Sequence, residues 1–66
     1  VSTEDFEYTG ESLTFTTTNA IDSVVSFDLN GLTQLEGEAF EVSGRTTLTL
    51  LGTPRVGTIV GVVYLH

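Results

Sequence analysis

The sequence contains few residues that could act as a catalytic nucleophile, acid or base. The 66 residues include no cysteine, no lysine and one histidine, His66, which is the last residue. A Ser-His-Asp triad needs a histidine held between a nucleophile and a carboxylate, and a terminal residue is expected to fray. The carboxylate pairs Glu4/Asp5 and Glu36/Glu38 are of the type that glycosidases use, but they lie in polar, loop-like stretches. We therefore predict that the protein is not an enzyme.

Metal and cofactor sites have equally little support in the sequence. Without cysteine, and with one terminal histidine, thiolate and histidine zinc sites are excluded. Calcium takes oxygen ligands from loops, and Asp28, Glu36 and Glu38 could approach one another across a hairpin, but the DxDxDG spacing is absent. The glycines fall mainly at turns and do not have phosphate-loop spacing. We predict no cofactor and no metal.

The charge balance restricts the class of partner. The sequence has nine acidic residues but only two basic ones, Arg45 and Arg55, so its net charge is −7. Nucleic acids and anionic membranes are bound by clusters of Lys and Arg. No apolar run reaches the 18 or so residues of a membrane-spanning segment. We therefore predict a partner that is neither nucleic acid nor membrane.

The elements that would position a binding surface are predicted to be short β-strands. Apolar residues alternate with polar ones, and no segment keeps a helical period. Asn30-Gly31 favours a type I′ hairpin turn, because both residues tolerate positive φ. The sequence predicts one all-β domain over 1–66, an antiparallel sandwich or barrel of about six to seven short strands, with 1–10 as an edge strand or an N-terminal arm. The residues expected to face inward in the middle strands are Leu13, Phe15, Val25, Phe27, Leu29, Phe40, Val42, Leu48 and Leu50.

The last predicted strand, TIVGVVYL over 58–65, is apolar on both faces. One face carries Val60, Val62 and Tyr64. The other carries Ile59, Val63 and Leu65. Such a strand needs a cover on each side, and a chain of this length can barely build one. Two explanations stay open: a partner subunit covers the second face, or the N-terminal segment folds over it as a lid. The candidate interface residues are Ile59, Val63, Leu65, Phe6 and Tyr8.

An ordered set of segments extends over 11–65: SLTF, VVSFDLNGL, AFEVSGRTTLTL, TPRVG and TIVGVVYL. This set resembles a small β-sandwich module of bacteriophage virion proteins, of the tail-fibre, appendage or capsid-decoration type. The sequence departs from that pattern at Phe40, where tyrosine is usual, and at Thr58, where aspartate is frequent. The resemblance implies a structural role in a virion and no catalytic site. The expected partners are copies of the chain, as a dimer or trimer, and other virion proteins such as the major capsid or tail protein.

Two other functions fit the same sequence. A carbohydrate-binding or adhesion module would need exposed aromatic side chains, for which Phe6, Tyr8 and Tyr64 are the candidates. A host-derived interaction domain would fit the same composition. Neither alternative requires a catalytic residue.

Overall fold

The computed structural model describes all 66 residues, which form seven β-strands and no helix. No element of the structure is a helix suited to crossing a membrane. The prediction of an all-β fold with about six to seven short strands is confirmed. The strands are β1 (Ser2–Glu7), β2 (Thr14–Thr16), β3 (Ser23–Leu29), β4 (Leu32–Thr33), β5 (Phe40–Ser43), β6 (Thr47–Leu50) and β7 (Ile59–Leu65).

The strands form two antiparallel sheets. The larger sheet has the order β1-β7-β3-β4, and the smaller has the order β2-β6-β5. β7 is therefore a central strand although it comes last in the chain, and it pairs with β1 on one side and with β3 on the other. The N-terminal segment is an edge strand of the larger sheet, with Ser2 opposite Tyr64 and Glu7 opposite Ile59.

The hydrophobic core lies between the two sheets. Phe27 of the larger sheet stacks on Phe40 of the smaller one, with ring centroids 3.9 Å apart and planes inclined by 16°. Ile21 fills the core from the connection between β2 and β3. The buried core residues are Ile21, Phe27, Phe40, Leu48, Leu50, Val60, Val62 and Tyr64.

The hairpin between β3 and β4 has the predicted turn. Asn30 and Gly31 have φ angles of 52° and 85°, so both lie in the left-handed region that a type I′ turn requires. The Asn30 side chain has a second function, because its Oδ1 accepts a hydrogen bond of 2.8 Å from the backbone N–H of Ile59. The turn is thereby attached to the first residue of β7.

One inward-facing residue was predicted wrongly. Val25 is 59% exposed, whereas Val24 packs against the core. The register between β3 and β7 shifts between Val24, which is opposite Tyr64, and Ser26, which is opposite Val63. Because this β-bulge adds one residue to β3, the alternation reverses at that point and Val25 moves to the outer side of the sheet.

Candidate docking surface

The two faces of β7 have opposite environments. Val60, Val62 and Tyr64 are buried in the core, each 1% exposed or less. On the opposite face Ile59 and Leu65 are 42% and 43% exposed, and Val63 is half-buried. We call this side of the larger sheet the outer face. The smaller sheet packs on the other side, so the outer face has no second layer of protein over it.

The N-terminal segment does not cover the outer face, and the lid explanation is wrong. β1 lies beside β7 in the same sheet because it completes the hydrogen-bond ladder of that strand. Phe6 packs against the core, with its ring centroid 5.3 Å from that of Phe15, and Tyr8 is only 6% exposed. Phe6 and Tyr8 therefore point away from the outer face and are not part of the surface described below.

The bulge adds an apolar residue to the outer face that sequence reasoning missed. Val25 is displaced outward beside Ser26, which is opposite Val63 in β7. The only signal in the sequence was the pair of adjacent valines at 24 and 25, since either could occupy the inner position. The apolar part of the outer face therefore consists of Val25, Ile59, Val63 and Leu65.

Two carboxylates meet at the centre of this apolar surface. Asp5 of β1 and Asp28 of β3 are both register partners of Gly61 in β7. A Cβ atom at position 61 would lie 2.6 Å from Asp28 Oδ1 and 3.1 Å from Asp5 Oδ1. Both side chains therefore lean over the glycine, in the space that a residue 61 side chain would fill. We call Asp5 and Asp28 the acidic pair.

A third carboxylate, on the inner side of β1, holds this region of the sheet in place. Glu4 accepts a hydrogen bond from the hydroxyl of Tyr64 and others from the backbone N–H and Oγ1 of Thr18, at 3.2 Å. The Tyr64 hydroxyl in turn accepts a hydrogen bond of 3.2 Å from the backbone N–H of Asn19. The network ties β1, β7 and the β2–β3 connection together. It therefore fixes the register that brings the acidic pair to Gly61.

The remaining candidate groups do not assemble into a binding site. No group of three or more His, Cys, Asp or Glu side chains is placed to hold a metal ion, so Asp28, Glu36 and Glu38 do not form the calcium site considered above. His66 is exposed, with its ring centroid 5.9 Å from that of Tyr64. The largest cavity, about 350 Å³, lies away from the outer face, beside Leu29, Gln34 and the 51–54 loop.

The structure offers no aromatic platform for a sugar. Phe6 and Phe15 are half-buried, and the other four aromatic residues are buried in the protein. Tyr64, one of the three aromatic candidates, is fully buried and its hydroxyl is engaged by Glu4 and Asn19. The carbohydrate-binding alternative therefore gains no support from the exposed surface.

No protein-family model matches this chain, and neither a curated protein nor a solved structure is significantly similar to it. The resemblance to phage virion modules stays a prediction.

Proposed function

We propose that this protein is a non-enzymatic structural subunit that attaches to a larger assembly through the outer face of its four-stranded sheet. The observation that carries the proposal is the exposure of Ile59 and Leu65, together with Val25, on a sheet face that the chain leaves uncovered. Apolar side chains gathered on one sheet face are typical of a surface that is buried in an assembly.

The size of the domain is compatible with such an attachment. A stable interface buries about 800 Å² on each partner. The whole accessible surface of the chain is 3982 Å², so an interface of this kind would cover about a fifth of it.

The exposed edge of the same sheet is protected against unspecific pairing. β1 is an edge strand, and its Asp5 and Glu7 side chains are exposed. Charged residues on an edge strand discourage the addition of a further strand from another chain. Docking by the sheet face, instead of by edge-to-edge pairing, fits this arrangement.

The setting that we propose is a bacteriophage virion, with the protein acting as a decoration, cement or tail-appendage component. The support is the ordered set of segments over 11–65, which resembles modules of such proteins. The proposed partners are a major capsid or tail protein and further copies of the chain, as a dimer or trimer.

Sedimentation of the assembly tests this function. Phage particles from the native source are separated on a density gradient, and the protein is followed with an antibody; we expect it to sediment with the particles.

Particles lacking the protein are then mixed with purified variants. Val63→Asp places a charge on the outer face and should abolish attachment. Val56→Asp is the matched control, because Val56 is 71% exposed and lies outside that face. Recovery of the protein only from cellular complexes would refute the virion setting, and attachment of Val63→Asp would refute the docking face.

A further inference from the structure

The acidic pair is the one feature of the outer face that indicates the chemistry of its partner. Asp5 Oδ1 and Asp28 Oδ1 both lie within 3.1 Å of the same point above Gly61, so these oxygens are no more than about 6 Å apart. Of the nine acidic residues, only Glu4 accepts side-chain hydrogen bonds from within the protein. The acidic pair therefore presents two converging acceptors that the chain itself does not use.

The surroundings of the acidic pair are apolar along the direction of β7. Ile59 and Val63 are the outward-facing residues on either side of Gly61 in the strand. Asp5 and Asp28 lie on the two neighbouring strands, one on each side. The result is a cross-shaped arrangement, with carboxylates across the strand and aliphatic side chains along it. A long basic side chain has the complementary pattern, since its stem is apolar and its head is a hydrogen-bond donor.

The charge of the acidic pair makes a second copy of the chain a poor occupant of the outer face. If two outer faces packed together about a two-fold axis, like surfaces would meet, and the two acidic pairs would be brought together in a desolvated interface. Like charges in such a position are strongly unfavourable. The net charge of −7 adds repulsion at longer range. A partner with a basic surface is attracted by the same charges.

We propose that the outer face binds a partner protein of different sequence, which inserts an arginine or lysine side chain between Asp5 and Asp28 and packs apolar residues on Ile59 and Val63. This inference rests on the proposed function, because it names the partner chemistry for the same face. The basic head group donates hydrogen bonds to Asp5 and Asp28, which no side chain of this protein does. The apolar residues around it exclude water from the ion pairs.

A peptide titration followed by NMR tests the inference. The probe is a blocked pentapeptide with a central arginine flanked on each side by threonine and then valine, added to the ¹⁵N-labelled protein. The control probe has citrulline in place of arginine, which keeps the shape and removes the charge. We expect the arginine peptide to change the chemical shifts of the Gly61, Ile59 and Val63 amides, and we expect these changes to become smaller at higher salt concentration. The citrulline peptide should cause much smaller changes. Equal shifts with both peptides, or shifts scattered over the surface, would overturn the inference.

Variants separate the acidic pair from general negative charge. The double variant Asp5→Asn/Asp28→Asn should weaken binding of the arginine peptide by about tenfold or more, since charge-assisted hydrogen bonds are lost. Glu41→Gln, which removes an exposed charge from β5 of the other sheet, should change the affinity less than about twofold. Gly61→Ala offers an independent perturbation, because its Cβ must displace both carboxylate ends. Unchanged binding by the double variant or by Gly61→Ala would overturn the proposal.

Two further outcomes would identify a different occupant. Calcium chloride that shifts the Gly61 amide at submillimolar concentration, without peptide, would make the acidic pair a cation site. A wild-type dimer in light scattering that Val63→Asp dissociates would show that a second copy covers the outer face. Either result overturns the inference about the basic partner, whereas the dimer result leaves the outer face as a docking surface. Attachment of Val63→Asp to particles would instead remove the proposed function itself.

Discussion

Removing the Tyr64 hydroxyl is the most direct way to measure what holds β1 and β7 in register. Tyr64→Phe keeps the buried ring in place and deletes only the oxygen that donates to Glu4 and accepts from the N–H of Asn19. The first is a hydrogen bond to a charged group, worth about 1.5–3 kcal/mol, and the second is a neutral bond worth about 1 kcal/mol. Glu4 is half-buried and keeps its bonds from Thr18, so we expect a net loss of about 2 kcal/mol in the free energy of unfolding.

Thermal and urea denaturation followed by circular dichroism would measure this loss. In a domain of this size, 1 kcal/mol corresponds to about 4–8 °C in Tm, so Tyr64→Phe should lower Tm by about 8–16 °C. Tyr8→Phe is the matched control, because Tyr8 is also buried but its hydroxyl is outside the network; it should cost less than about 0.5 kcal/mol.

A double-mutant cycle with Glu4→Gln would isolate the contact itself. If the hydroxyl and the carboxylate act through each other, the two changes should be non-additive by about 1 kcal/mol or more. The reasoning is refuted if Tyr64→Phe costs no more than Tyr8→Phe. It is also refuted if the two changes add within about 0.3 kcal/mol, since independent sites behave in that way.

Three other substitutions test the fold from different directions. Phe40→Ala removes a ring that is 1% exposed and stacked on Phe27, and its expected cost of about 3–5 kcal/mol should leave little folded protein at 25 °C by circular dichroism. Asn30→Gly keeps the turn but loses the hydrogen bond to the Ile59 N–H, so it should cost about 1 kcal/mol in urea denaturation. Asn30→Ala should cost about twice that, because it also strains φ. A negligible cost for Asn30→Gly would contradict the second function of Asn30. Arg45 lies in the turn between β5 and β6 and has a φ of 67°. Arg45→Gly should therefore be neutral or stabilising by up to about 1 kcal/mol in the same assay, and a clear loss of stability would contradict strain at this turn.

The alternation of apolar residues was sufficient to predict the fold class and much of the core. Period two identified Phe27, Phe40, Leu48 and Leu50 as inward-facing, and the Asn-Gly pair identified the hairpin. It failed at Val25 because a bulge changes the phase of a strand without leaving a clear mark in the pattern. Two adjacent valines fit either phase, and only pairing with β7 decides between them.

The docking surface was predictable only in part. The doubly apolar segment 58–65 indicated an uncovered face, and its inner and outer sets of residues were assigned as the structure has them. The acidic pair could not be predicted, because Asp5 and Asp28 are brought together by the register of two strands against a third that lies more than 30 residues further along the chain. Local patterns carry no information about that register. The same holds for the contact between Glu4 and Tyr64.

The central position of β7 has a consequence for the order in which the domain is built. During synthesis β1 and β3 appear first, but the strand that both pair with is the last of the seven to leave the ribosome. The larger sheet therefore cannot be completed until β7 has emerged. Until then β1 is unpaired, and the edge of β3 that faces away from β4 is open to other chains. Pairing between such distant segments is slow, and unpaired strands are prone to aggregate while they wait. Charged side chains on an edge strand discourage pairing with another chain, and β1 carries three of them, at Glu4, Asp5 and Glu7, so the same residues protect this strand before its partner is available.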